Sequence, residues 1–146
     1  MPPDHDVLNL LDAQLGRYQG IISRLAGNSV QVKTWCFTAT AALAALAVDR
    51  DSPEMFGVAL ILAAAFFYLD SYYLALEQRF RDASSQLAER VISGEEIDPR
   101  ELVIITSPRG SLTWQIILRC GGSSQTAIIY VVVAVALMAG LLAAVL

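Results

Sequence analysis

The chain has 146 residues, of which 55% are hydrophobic and 16% charged, with a formal net charge of −4 at neutral pH. That balance leaves too little polar surface to cover a soluble domain of this size, and a lipid-facing surface resolves the mismatch. The negative charge argues against broad nucleic-acid binding, though not against a small anion pocket.

In residues 1–33 the apolar positions Leu8, Leu11, Leu15, Tyr18, Ile22 and Leu25 recur at steps of 3 and 4. This is the seam of an amphipathic helix that packs lengthwise on another helix. The start, MPPDHD, is acidic and the first apolar block comes late, so no cleavable signal is expected. A short, alanine-rich first span follows over 34–48, with Trp35 at the headgroup level and Lys33 snorkelling to the interface. A VDRDSPE connection leads to the second span, 55–76, whose one ionisable residue is Asp70, set among Tyr68, Tyr72 and Tyr73 as an interfacial belt.

A second seam leaves that span through Tyr73, Leu76, Phe80, Ala83, Leu87 and Val91. It predicts one unbroken helix from about Glu54 to Ile92, capped by Gly94. In the remainder of segment 77–126, Asp98-Pro99-Arg100-Glu101 reads as a helix start and SPRGS as a turn. LTWQIILR reads as a short amphipathic piece near the membrane, and CGGSSQ as a flexible entry to the third span. That span, 127–146, carries no charged side chain and matches the hydrocarbon thickness.

Nine of the ten arginines and lysines fall before the first span or between the second and third; Arg50 alone lies in the VDRDSPE connection. By the positive-inside rule the N-terminus and the middle segment are cytoplasmic and the C-terminus is outside. The expected fold is all-α: an integral membrane protein of three transmembrane helices, with a cytoplasmic bundle formed by the N-terminal helix and the extension of the second span. Cys36 and Cys120 fall in different segments with no metal-ligand spacing, so both are assigned structural roles.

Several residues invite chemistry. An ionisable group inside an apolar run counts as functional by default, and Asp70 is that group; a structural pair with Lys33, at similar depth, competes with a role in lining or gating a pore. Thr34, Thr38 and Ala41 or Ala45 form one small, mildly polar stripe suited to a water-filled lumen or, equally, to close helix packing. Gly57, Ala63 and Ala64 pose the same choice. Arg17, Arg24, Arg79 and Arg81 suit phosphate contacts, against the simpler reading that they enforce topology and pair with Asp12, Glu77 and Asp82. Catalysis lacks machinery: the single histidine is His5, no phosphate loop or metal cluster exists, and Asp70 and Glu77 have no neighbouring base. No cofactor or metal is expected.

The segments IISRLAGNSVQVKTW (21–35), YLDSYYLALEQRFR (68–81) and SSQTAIIY (123–130) resemble the SLATT group of small prokaryotic membrane effectors. The matching residues are Asn28, Ser29, Lys33, Trp35, Asp70, Tyr72, Tyr73, Glu77, Phe80 and Arg81; after Arg81 the group continues with Leu-Tyr-Asp where this chain has Asp-Ala-Ser. The resemblance implies a pore-forming effector of anti-phage defence, of the CBASS or Hailong type, in the bacterial inner membrane. It implies a homo-oligomer, a tetramer by family type, and a nucleotide or short single-stranded DNA signal from a partner nucleotidyltransferase. Asn28, Lys33, Trp35, Tyr73 and Glu77 would then be motif residues. The rival readings are a non-conducting membrane adaptor and a small proton-coupled transporter.

Overall fold

The computed structural model describes residues 5–95, 113–122 and 124–146. All its elements are helices: α1 His5–Asp49, α2 Glu54–Ile92, α3 Trp114–Gly121 and α4 Ser124–Val145. The helix start at Asp98-Pro99 and the SPRGS turn lie outside the described residues. Three helices, α1, α2 and α4, are long and apolar enough to cross a membrane by length and composition.

The expected boundary at 33/34 leaves no mark on the backbone, because α1 runs through it as one helix. Ser29, Val32, Cys36, Thr40 and Ala47 are buried and extend the seam that Tyr18 and Leu25 begin, so the same face packs along the whole length. With its 45 residues, α1 is about 67 Å long, more than twice the hydrocarbon thickness of a bilayer. Burial is weakest toward the N-terminus, where Leu8 is 41% exposed although its spacing puts it on the seam. A two-helix pair covers only one side of each helix, and at its end that cover runs out.

α2 meets its expected bounds, Glu54–Ile92. Its end is a Schellman motif: Gly94, at φ +76°, donates to the Val91 carbonyl at 3.1 Å and Glu95 donates to that of Arg90 at 3.2 Å. α1 ends in the same way with Asp51 at φ +49°, Ser52 donating to the Ala47 carbonyl at 3.0 Å. Pro53 and Glu54 then open α2, the acidic side chain sitting in its first turn where the helix dipole favours it.

The helices are antiparallel neighbours. Ala47 and Phe56 share one apolar cluster at the tight turn, and Tyr18 meets Phe80 at the far end with ring centroids 6.3 Å apart. α4 runs back along α2, with Phe67 and Tyr130 packed edge to face at 5.2 Å. Gly140 lies against Phe56, whose ring would stand 2.6 Å from a Cβ there. At the other end Gly121 of α3 lies on Ser71, whose Oγ would be 1.9 Å from such a Cβ. Cys120 and Gly121, expected in a flexible entry, belong to α3, and Ser124 and Gln125 already belong to α4. The close approach at Gly121 and the burial of Ile117 and Cys120 against Ala75 hold this segment in helical form.

Candidate functional site

Where the three apolar helices meet near the middle of α2, a polar cluster sits inside the bundle. Asp70 is at a seam position of α2 and has 0% of its surface exposed. Ser29 and Lys33, one turn apart on the inward face of α1, both reach it. The Ser29 hydroxyl donates to Asp70 Oδ1. The Lys33 ammonium donates to Ser29 Oγ at 2.7 Å and to Asp70 Oδ1 at 2.9 Å. Asp70 Oδ2 meets the same ammonium at 2.7 Å as an ion-pair contact, outside hydrogen-bond direction and with no hydrogen bond of its own. From α4 the Tyr130 hydroxyl donates to the Phe66 carbonyl at 3.4 Å and lies within reach of the same carboxylate.

This arrangement satisfies the electrostatics of burial. A carboxylate out of water is tolerated when a cation and hydrogen-bond donors surround it, and here one cation and one hydroxyl come from the neighbouring helix. The pair expected between Lys33 and Asp70 is present. Within the single chain the Asp70 carboxylate faces α1 and has none of its surface exposed. Sequence reasoning passed over Ser29 and Tyr130 as members of the cluster. Ser29 was legible as the residue one turn before Lys33, whereas Tyr130 carries no such signal, since only the packing of α4 on α2 brings it there.

Thr34 and Thr38 point the other way. Both are exposed, and each hydroxyl is folded back on its own helix, onto the Val30 carbonyl at 3.1 Å and the Thr34 carbonyl at 3.0 Å. Trp35 is 53% exposed beside them and Asn28 is exposed about two turns below. On α2, Tyr73 is half-buried and packs edge-on to Tyr72 at 6.2 Å.

Among the four arginines, Arg17 and Arg24 stand on one side of α1 and are exposed, while Arg79 is half-buried on α2. Arg81 pairs with Glu77 one turn away at 2.7 Å, one of the pairings expected if these side chains serve structure. The Tyr18–Phe80 contact brings Arg17 to the level of Arg79 and Arg81 on the facing helix. Arg24 lies seven residues further along α1, about 10 Å from that level, and Arg79 and Arg81, two residues apart on α2, face different sides of it.

Where α3 crosses α2, the Cys120 thiol donates to the Gln78 side-chain carbonyl at 3.1 Å. Burial pushes this thiol above the ordinary thiol range; Arg119 pulls the other way and Asp82 adds to the rise. It is thus a poor thiolate at neutral pH, as a packing residue should be. Among the described residues, no three histidine, cysteine or carboxylate side chains are grouped to hold a metal ion. No protein-family model, curated protein or solved structure matches this chain.

Proposed function

We propose that this chain is the subunit of a homo-oligomeric channel of the bacterial inner membrane, a SLATT-type effector of anti-phage defence. The observation that carries the reading is the outer face of α1. Gly16, Gly20, Gly27, Thr34, Thr38, Ala41 and Ala45 are all exposed and fall on the side opposite the seam that packs on α2. Glycine inside a helix costs about 1 kcal/mol relative to alanine, and three of them in one register call for a compensating contact. A Cβ at any of the three would meet no neighbouring side chain or helix within 4 Å among the described residues. Small residues let helix backbones approach closely, so copies of α1 gathered about an axis would supply that contact. Higher on the same face, Thr34 and Thr38 would give the lumen its hydroxyl lining.

In this reading the N-terminus and the segment between α2 and α4 are cytoplasmic, since the arginines crowd there. Symmetry multiplies Arg17, Arg24, Arg79 and Arg81 into a cationic ring for a nucleotide or short single-stranded DNA made by a partner nucleotidyltransferase, and four copies are the number the family resemblance implies. Switching that ligand opens the pore and arrests the infected cell. The burial and pairing of Asp70 favour a structural carboxylate over the exchangeable one that a proton-coupled transporter needs.

The test is conductance of the purified protein in a planar bilayer, with short DNA oligomers or cyclic nucleotides added on one side. Discrete currents that a ligand switches, with changed unitary conductance in Thr34→Val and Thr38→Val, are expected. A silent bilayer under every ligand, with folded oligomer present, would leave the non-conducting adaptor as the better account.

A further inference from the structure

One stripe of α2 has two different covers along its length. Leu60, Ala64, Phe67, Ser71, Ala75 and Gln78 follow one another at steps of 3 and 4 and so share a side of the helix, next to the side that packs on α1. Over its lower part α3 lies on this stripe, with Gly121 on Ser71 and Cys120 bonded to Gln78. Over its upper part the stripe is one wall of a groove of about 260 Å³, the other wall being Ala127, Val131 and Ala134 of α4. The alanines on both walls carry only a methyl group each and leave unfilled the space between the larger side chains. The hydroxyl of Tyr130, whose ring also borders the groove, is turned inward to the Phe66 carbonyl, so the groove stays apolar.

The end of α3 abuts the lower end of the groove. Phe67 lines the groove, and the same ring would lie 3.1 Å from a Cβ at Gly121, so the last residue of α3 stands next to the Phe67 end. From Leu60 to Phe67, the part of α2 that lines the groove, the helix rises about 10 Å, a length that fits inside one leaflet of a bilayer whose hydrocarbon core is roughly 30 Å thick. Arg119 stands two residues before Gly121, exposed, and makes no ion pair among the described residues. Trp114 at the other end of the same short helix is 61% exposed, an aromatic suited to the headgroup layer.

We propose that the α2–α4 groove and α3 together form a phospholipid site: one acyl chain lies in the groove, and an anionic headgroup rests on α3 with its phosphate on Arg119. The groove fits within a single leaflet, its lining fits a hydrocarbon chain, and the cation stands on the short helix that abuts the lower end of the groove. The site is independent of whether the assembly conducts.

The experiment is reconstitution into nanodiscs of phosphatidylcholine with phosphatidylglycerol, followed by native mass spectrometry of the released protein. One retained phospholipid per chain, enriched in phosphatidylglycerol, is expected, with no displacement by excess inorganic phosphate. Arg119→Gln keeps the retained lipid but lowers the preference for the anionic one about tenfold. Ala64→Phe fills the groove and loses the lipid, with helicity by circular dichroism unchanged. Ala134→Phe fills it from the opposite wall and provides the same test should the first variant misfold. Undiminished retention in both filled variants overturns the groove, and an unaltered preference in Arg119→Gln overturns the headgroup contact. Disulfide-linked dimers of Ala64→Cys in native membranes would assign the groove to a second copy instead.

Discussion

Asp70 and its two partners on α1 show how burial sets the worth of a charge. Asp70 is fully buried, whereas the Lys33 side chain keeps 18% of its surface exposed. The two ends of the pair are therefore not equivalent when broken. Lys33→Met leaves a carboxylate inside the bundle with no cation beside it, and should destabilise the fold by about 3–5 kcal/mol. Asp70→Asn leaves an ammonium that can swing toward water, and should cost less. Replacing both, Lys33→Met with Asp70→Leu, should recover most of the loss. Reversible unfolding of the detergent-solubilised protein orders the three, and equal losses in the two single variants would contradict the asymmetry. Arg81–Glu77 is the opposite case, a pair one turn apart on a single helix whose guanidinium is 61% exposed, so its loss should cost far less than that of Lys33–Asp70.

At the scale of elements, both long helices stop because one residue after each takes a left-handed conformation. That conformation is easy for glycine and strained for a residue with a Cβ. Gly94→Ala should therefore destabilise the end of α2 by about 1 kcal/mol, and Asp51→Gly should stabilise the α1–α2 turn by a similar amount. Hydrogen exchange at Ser93–Glu95 and at Asp51–Ser52 reads each change locally. Beyond Gly94, Glu95 bridges back to Arg90 at 2.9 Å, and the guanidinium holds its carboxyl below the usual carboxylate range. A lowered folded value means that this brace is complete above the ordinary carboxylate value and lost as pH falls through the lowered one. Exchange at Ser93–Glu95 should accelerate across that acid window and not above it, and Glu95→Gln should remove the dependence.

For the whole molecule, the inner face of α1 is occupied from Gln14 to Ala47, while a Cβ at any of the glycines on its outer face would meet nothing among the described residues. Under the channel proposal that face is where copies touch, so Gly16→Leu with Gly20→Leu should shift a cross-linked oligomer toward monomer while leaving helicity unchanged. Oligomer yield equal to wild type would place the contacts on another helix. α3 and α4 complete the subunit by covering one side of α2, α3 through the close approach at Gly121 and α4 through that at Gly140.

Much of this was legible without coordinates. Hydropathy located the three apolar helices because the cost of exposing apolar surface is a property of composition and length. The 3-and-4 periodicity located the seams, and the glycine after Ile92 located the end of α2, because these follow from local backbone geometry. The depth of Lys33 and Asp70 in their apolar runs was enough to expect their pairing. Other features depended on which helices become neighbours. The continuity of α1 through residue 33, the burial of Ser29 with its hydroxyl on Asp70, the approach of Tyr130 from 60 residues away, and the seating of Gly121 on Ser71 all arise between elements. Periodicity states which face of a helix is buried; it carries no information about which helix buries it or which polar groups then meet, and only the packed structure decides that.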